Sequence, residues 1–316
     1  MNMPSAYHGA ATPAEWLHRW SDLESRLAAL LLAAPSGRDD WPLAFSDWLE
    51  HARSHLDADT DAGLFWIFRL ASTTRVGYSS IHALLCWALA RVVSPALALS
   101  AADADTLERA ALTMNIGMTR LQNLLAMQTA PITPSQRTQI DAHPSRSVEL
   151  LQSHGVKDER WLFVVKYHHD TACLDFSTRV LQRLDRYGAL ISPRQTRDGR
   201  HLVETGHHLT TQGTEKIDDV GRSIVHELGL FPPGTLVRLA DDSTAIALRR
   251  GENPGDPQVA VIFGPDGKKP PSPFAVDTRQ PEWAVVSALH GTSVADVPSV
   301  DALLPLLFAT RDNAGL

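Results

Sequence analysis

The segment SSIHALLCWALARVV, residues 79–93, decides the class of fold. Its residues are apolar on nearly every side of a helix, whereas a surface helix is apolar on one side only. We therefore expect residues 79–93 to form a buried helix rather than a surface one. His82 lies inside this segment and needs a hydrogen-bonding partner there. The ordinary interpretation of such a lone histidine is a core residue whose hydrogen bond is satisfied.

Helical patterns flank this segment on both sides. Upstream, Thr12 can cap a helix whose first turn holds Pro13. Downstream, Thr133 and Gln136 form the pattern of a capping box, so another helix is expected to begin there. The chain is therefore expected to be helical from residue 12 to about residue 191.

Two of these helices contain residues that favour a break. Gly117 is expected to close the helix that starts at the serine- and aspartate-rich residues 100–105. Pro144 follows His143 inside the helix that begins after Thr133, and it is expected to kink or restart that helix.

The pattern changes near the C-terminal end of the sequence. Three short runs of alternating or β-branched residues are separated by turn residues, at 235–242, 243–250 and 257–263. They predict a small three-stranded antiparallel meander. Residues 271–294 are ambiguous, and residues 299–310 predict one last short helix.

Together these patterns predict a mainly α protein. We expect an N-terminal helical extension over residues 1–64, a helical domain over residues 65–232, and the β meander with a tail over residues 233–316. The extension lacks the alternation of strands and helices that is typical of a receiver domain. It is therefore expected to pack on the helical domain or to form a dimer interface.

Composition limits the functions that the chain can have. Its 316 residues carry 29 Lys and Arg against 36 Asp and Glu, a formal net charge of −7. No basic stripe emerges that could neutralise phosphates, which argues against nucleic-acid binding. The two cysteines, Cys86 and Cys173, lie in apolar surroundings, so we expect a reducing cytoplasm rather than a disulfide framework. We expect neither a signal peptide nor a membrane span.

The candidate site residues are histidines and one aspartate. His143 lies at the proline break, where a hydrogen bond to the backbone is the ordinary alternative to a ligand role. His168 and His169 close an apolar helix, and a helix C-terminus favours cationic imidazole without any metal. Asp185 lies within a later helix, where a solvated face is the alternative. A weaker candidate pair, His207 and His208, falls in a predicted loop. The histidines in polar settings receive no role: His8, His18, His51, His55 and His290.

In their order along the chain, these residues resemble the HD superfamily of metal-dependent phosphohydrolases, and in particular its HD-GYP branch. The resemblance spans about residues 76–263. Four segments carry it: HPSRSVELL (143–151), VVKYHHD (164–170), RLDRYGALISPRQTR (183–197) and LGLFPPGTLVRLADDSTAIALRR (228–250). The resemblance implies an HD-superfamily helical bundle and a setting in bacterial cyclic di-GMP signalling.

The residues that name the family are replaced in the segment MNIGM, residues 114–118. By the resemblance, Met114 stands for a histidine ligand, Asn115 for an aspartate that bridges two metal ions, and Met118 for a lysine that contacts phosphate. A thioether suits Fe or Mn poorly, and a neutral amide lacks the bridging charge. The Gly-Tyr-Pro loop is also missing, because TACLDFSTRVL follows directly after Asp170.

The family positions that remain are His82, His143, His168, His169 and Asp185. If the fold places them as the family does, four imidazoles and a carboxylate could hold a single transition metal, Fe, Mn or Zn. The alternative is that they bind no metal and are hydrogen-bonded within a helical core.

Three functions follow as hypotheses from the resemblance. The first is a catalytically inactive signalling or protein-interaction module, with partners such as diguanylate cyclases or response regulators, and with a homodimer left open. The second is a mononuclear metal-dependent phosphohydrolase, although two-metal hydrolysis needs both ions. The third is a cyclic-dinucleotide binding module without hydrolysis, whose phosphate contacts would come from Arg179, Arg183, Arg186, Arg194 and Arg197.

Overall fold

The structure of the chain is a computed structural model that describes residues 12–37, 40–192, 219–289 and 296–313. Most of its helices precede a small sheet. The helices are α1 (Pro13–Ala33), α2 (Trp41–Ala58), α3 (Thr60–Thr73), α4 (Tyr78–Val93), α5 (Ala101–Thr113), α6 (Thr119–Met127), α7 (Pro134–Ser153), α8 (Glu159–Tyr167), α9 (Phe176–Ile191), α10 (Asp219–Leu228) and α11 (Val300–Asn313). The strands are β1 (Leu236–Leu239), β2 (Thr244–Arg249), β3 (Gln258–Phe263), β4 (Phe274–Asp277) and β5 (Val285–Ala288). The predicted mainly α class is confirmed.

The α4 helix forms the centre of the helical part. Every residue from Tyr78 to Ala90 is buried, and α4 packs against α1, α3, α5, α6 and α9. A helix that is apolar nearly all round can bury its whole surface only when neighbours surround it. The buried helix predicted for residues 79–93 is confirmed.

The helix starts predicted from capping residues are also confirmed. Thr12 accepts a hydrogen bond from the Glu15 amide at the start of α1. Thr133 and Gln136 form a reciprocal capping box at the start of α7. Caps of this kind stabilise a helix by about 1 kcal/mol.

The two predicted interruptions are found in part, because a turn does contain Gly117 but the helix before it ends earlier, and Pro144 does not restart its helix. α5 ends at Thr113, and Gly117 lies instead in a single 3₁₀ turn over Ile116–Met118. α7 runs through Pro144 without a restart. Because proline has no N–H, α7 lacks one internal hydrogen bond, the one that would reach the Ile140 carbonyl.

The sheet has five strands rather than the three predicted. Their order is β4-β3-β2-β1-β5, and all neighbouring strands are antiparallel. The three predicted runs correspond to β1, β2 and β3. The ambiguous residues 271–294 supply β4 at one edge and β5 at the other, where Ala288 lies opposite Val237.

The sheet packs one face on the helices. Ile246 and Leu248 in β2 belong to the main apolar core, whereas the intervening Ala247 points away from them by the strand's alternation. A small second cluster on the opposite face includes Val237 and Val259. The predicted last helix is confirmed as α11, and it contributes Leu307 to the main core.

A buried ion pair joins the sheet to the helices. The guanidinium of Arg249 in β2 donates to both carboxylate oxygens of Asp59, at 2.8 and 2.7 Å. Its Nε also donates to the Leu307 carbonyl at 2.9 Å. Asp59 in turn caps α3 by accepting from the Ala62 amide. One arginine therefore connects β2, the start of α3 and α11.

The N-terminal helices share the main core with the rest of the chain. That core contains Trp20 and Trp48 from α1 and α2 together with residues of α4, α9 and α11. The boundary predicted after residue 64 falls inside α3. Within the described ranges, no helix combines the length and apolar character that a membrane crossing needs.

Candidate metal centre

Four helices carry the candidate ligands. His82 lies in α4, His143 in α7, His168 and His169 directly after α8, and Asp185 in α9. The structure places them in two groups, and within each group the ligand atoms lie within 4.8 Å of one another. The first group is His143, His168 and His169, and the second is His82, Cys86 and Asp185.

His143 and His168 face each other through their Nε2 atoms, which are 3.1 Å apart. Both rings are buried, with 0% of each residue exposed. Each ring uses its other nitrogen on the backbone: His143 Nδ1 lies 2.5 Å from the Ile140 carbonyl, and His168 Nδ1 lies 2.6 Å from the Val165 carbonyl.

The local sequence explains why both carbonyls are free for this role. Pro144 has no N–H, so the Ile140 carbonyl lacks the amide that a helix would normally place on it. The Val165 carbonyl lies in the last turn of α8, where carbonyls have no partner within the helix. In each case the histidine three residues later supplies the missing donor.

These contacts set the tautomer of both rings. A carbonyl can only accept, so each Nδ1 carries the proton and each Nε2 presents a lone pair. Burial, which disfavours the charged form, lowers the pKa of His143 to about 4 and the pKa of His168 to about 3. Both rings are therefore neutral near pH 7, and two lone pairs oppose each other.

A cation bound between the two nitrogens would remove this opposition, and their separation is compatible with one. Metal–nitrogen bonds of about 2.0–2.1 Å place two neighbouring ligand nitrogens about 3.0–3.4 Å apart. The observed 3.1 Å falls in that range. A hydrogen bond between the two Nε2 atoms fits less well. A neutral ring that donated through Nε2 would turn a bare Nδ1 towards a carbonyl oxygen, and burial disfavours the imidazolium that could donate from both nitrogens.

His169 completes the first group from the solvent side. Its ring centroid is 4.2 Å from that of His168 and 5.1 Å from that of His143. Unlike the other two, His169 is exposed. The first group therefore reaches solvent on one side.

The second group is centred on His82. Its Nε2 lies 2.8 Å from Asp185 Oδ1 and 3.6 Å from Cys86 Sγ. Its Nδ1 is buried without a hydrogen-bond partner in the described part of the chain. Gly188, one turn after Asp185, allows this approach, because a Cβ there would lie 3.2 Å from both Cys86 Sγ and His82 Cε1.

Asp185 is held as a carboxylate between the two groups. Burial alone would raise its pKa, but the hydrogen bond with His82 and the nearby imidazoles hold the pKa well below its usual range. Its charge in turn raises the pKa of His143 and of His168 against the effect of burial. The solvated-face alternative for Asp185 is wrong, since its side chain is only 18% exposed.

The segment 114–118 packs against α7 beside His143. Ser147 Oγ donates to the Met114 carbonyl at 2.8 Å and accepts from the Gly117 amide at 3.0 Å. Met114 and Asn115 are buried, and Met118 is half-buried. The Asn115 Oδ1 is buried and has no partner among the described residues.

The predicted phosphate contacts are less well defined. Arg179 and Arg186 are exposed along α9, and Arg183 is half-buried there. Arg194 and Arg197 lie outside the described residues, as do His207, His208 and His290.

Sequence reasoning missed Cys86 and Ser147. Cys86 follows His82 by one helical turn, and this spacing was a signal that both side chains share a face. Ser147 gave no such signal, because its role depends on a turn that lies 30 residues earlier.

No protein-family model matches this chain, and neither a curated protein nor a solved structure matches it. The resemblance to the HD superfamily thus rests on the order of its motif residues.

Proposed function

We propose that this protein is a degenerate HD-type helical module that keeps a single transition metal and acts in signalling through protein contacts rather than through hydrolysis. The opposed Nε2 atoms of His143 and His168 carry the proposal. His143, His168 and His169 would hold the ion, with Asp185 supplying negative charge. Imidazole nitrogens suit Zn or Fe, and a nearby carboxylate suits Mn.

The segment 114–118 supports a role without two-metal hydrolysis. Two-metal catalysis uses both ions to stabilise the attacking and leaving oxygens. Asn115 offers a neutral amide where a bridging carboxylate would be needed, and Met118 offers no charge for a phosphate. Met114 fills its position as a buried apolar side chain.

The resemblance also supplies the context of the proposal. A bacterial cyclic di-GMP setting would give partners such as diguanylate cyclases or response regulators, and the cytoplasm as the location. These partners are inferred from fold-level analogy, which does not fix function by itself.

Metal content tests the proposal. Wild-type protein, purified without chelator, is expected to contain close to one Fe, Mn or Zn per chain by elemental analysis. The His168→Ala/His169→Ala variant is expected to lose it while keeping its helical circular dichroism. His226→Ala, which removes an exposed histidine far along the chain, is the matched control and should keep the metal. A folded wild type without metal would rule the proposal out.

The exposure of His169 favours a second candidate, a mononuclear phosphohydrolase. An ion held beside solvent can act as a Lewis acid on a phosphoryl oxygen. Here His143 and His168 would bind the ion, and His169 would bind it or orient the phosphate. Turnover of a phosphodiester by the metal-loaded protein, abolished by His168→Ala, would favour this candidate. Full metal content without turnover would favour the non-hydrolytic module.

A further inference from the structure

A second cavity lies outside the candidate metal centre. It has a volume of about 470 Å³ and opens between the end of α1, the Ile116–Met118 turn, α6 and α7. None of the candidate metal ligands lines it. Its wall includes apolar side chains from Leu31, Ile116 and Leu121. Its size falls in the range of small-molecule sites.

The charged side chains at this cavity are all of one sign. Arg120 and Arg146 line it, and no carboxylate is present among its described lining residues. Neither arginine has an ion-pair or hydrogen-bond partner within residues 12–37, 40–192, 219–289 and 296–313. Both arginines are exposed, so their guanidiniums are accessible to a ligand.

Three other arginines of the same helical part bind carboxylates. Arg53 and Arg91 both bind the buried carboxylate of Glu108, and Arg160 binds Asp175 at 2.6 Å. The chain as a whole has more carboxylates than basic groups, yet none of those in the described ranges lines the cavity. Two unneutralised guanidiniums beside an apolar wall form an environment suited to an organic anion.

The fold fixes the positions from which both arginines extend. Gly117 lies so close to α7 that a Cβ there would approach the Ser147 backbone nitrogen to 2.7 Å. Ser147 also ties the turn to α7 through two hydrogen bonds. Arg120 lies three residues after Gly117, and Arg146 directly precedes Ser147. The two side chains therefore start from one rigid junction.

We propose that this cavity binds a small phosphate monoester whose apolar group packs against Leu31 and Leu121. A phosphate monoester carries about two negative charges near pH 7, which matches two guanidiniums better than a singly charged carboxylate does. The planar fork of arginine also fits phosphate oxygens in pairs. The exposed Gln139 at the rim adds a neutral hydrogen-bonding group.

Isothermal titration of the full chain with phenyl phosphate tests the proposal. Phenyl phosphate is expected to bind with a Kd of about 0.1–1 mM, given the affinity that a ligand of this size can reach. Arg120→Gln and Arg146→Gln should each weaken binding about tenfold or more, because each removes charge-assisted hydrogen bonds. Arg137→Gln, an exposed arginine of α7 that does not line the cavity, should leave the Kd unchanged.

Comparison ligands separate the parts of the proposal. Benzoate and methyl phosphate should both bind more weakly than phenyl phosphate, because one lacks the second charge and the other the apolar group. Equal binding of benzoate, unchanged binding by the two arginine variants, or no heat with phenyl phosphate would each overturn the proposal. The metal content of all variants should match the wild type, so this test does not depend on the metal centre.

Discussion

At the scale of single residues, Gly117 controls how closely the Ile116–Met118 turn approaches α7. A Cβ at this position would meet three backbone atoms of α7, the nearest being Ser147 N at 2.7 Å and His143 O at 2.9 Å. Backbone atoms in a helix interior cannot move aside as the end of a side chain can. The residue is therefore needed for space rather than for a left-handed conformation.

Gly117→Ala is expected to destabilise the protein by about 1–3 kcal/mol, the usual cost of overpacking. Urea unfolding followed by circular dichroism measures this change. Gly255→Ala is the matched control, because the nearest atom to a Cβ there is Leu230 Cδ1 at 4.0 Å. A Gly117→Ala variant as stable as Gly255→Ala would show that the turn can shift away from α7.

His55 gives a pH-dependent contribution to stability. Its ring lies edge-on against Trp20 at 5.4 Å, and its Nε2 is buried without a partner in the described chain. Burial, together with the charges of Arg19 and His51, lowers the pKa of His55 below its usual value. The unfolded chain, with a histidine pKa of about 6.5, therefore binds more protons near pH 6 than the folded chain does.

The stability that depends on neutral His55 is present above about pH 6.5 and is lost as the pH falls towards its folded pKa. The wild type is thus expected to lose more stability than His55→Phe when the pH is lowered from about 7.5 to about 5.5. Urea midpoints at the two pH values measure the difference. Phenylalanine keeps the contact with Trp20, so equal losses in both proteins would contradict the prediction.

At the scale of elements, the helix starts could be predicted from the sequence because the hydrogen bonds that cap them join residues close together in the chain. Thr12 and Thr133 each satisfy an amide three residues away, and α9 shows its buried side by regular spacing. The end of α5 could not be predicted from neighbouring residues. Gly117 looks like a helix end in sequence, but Ser147, which binds the Met114 carbonyl, holds the turn from a distant element.

The sheet shows the same limit. β1, β2 and β3 alternate and are joined by short turns, so their pairing is local and was predicted. β5 pairs with β1 across the whole intervening meander. Its burial is low, with Val286 66% exposed, so its sequence carries little of the apolar alternation that identifies a strand.

The candidate site was predictable as a set of residue types but not as an arrangement. The order of histidines along the chain indicated ligands. The two Nε2 atoms of His143 and His168 face each other because each ring is oriented by a backbone carbonyl of its own helix. No spacing of residues along the sequence predicts that these two rings come together. Cys86 was missed for a related reason, because only the approach of Gly188 brings α9 close to it.

The α7 helix offers a direct test of how Pro144 orients His143. Pro144→Ala restores an amide that can donate to the Ile140 carbonyl and so competes with His143 Nδ1. Metal affinity is expected to fall about 10- to 100-fold, as for other lost contacts that orient a metal ligand. Competition with a fluorescent chelator measures it.

The same change should not destabilise the fold. Alanine is preferred over proline in a helix interior by about 3 kcal/mol, so the urea midpoint is expected to stay the same or to rise. A stable Pro144→Ala protein with unchanged metal affinity would show that His143 is oriented by packing alone.

At the scale of the whole molecule, the helices and the sheet share one main core that extends from Trp16 to Leu307. Residues on both sides of the boundaries predicted after residues 64 and 232 belong to it. Because a domain has its own core, this shared core argues against independent domains at those two boundaries.

The Arg249–Asp59 pair is a buried polar link between the sheet and the helices. Its side chains are 7% and 6% exposed. Arg249→Met leaves the Asp59 carboxylate buried without its counter-charge, so a loss of about 3–5 kcal/mol is expected in urea unfolding. Arg279→Met is the control, because its pair with Asp277 is 65% and 38% exposed and an exposed pair contributes little to stability. Equal losses in the two variants would contradict this account.

The same arginine also orders events during synthesis. Asp59 and Arg249 leave the ribosome before Leu307, whose carbonyl accepts from two guanidinium nitrogens of Arg249. Until that carbonyl is available, burying the guanidinium of Arg249 would leave some of its N–H donors unsatisfied. Docking of the sheet on the helices is therefore unfavourable before then. The nascent helices can thus compact first, while the sheet docks only after α11 has emerged.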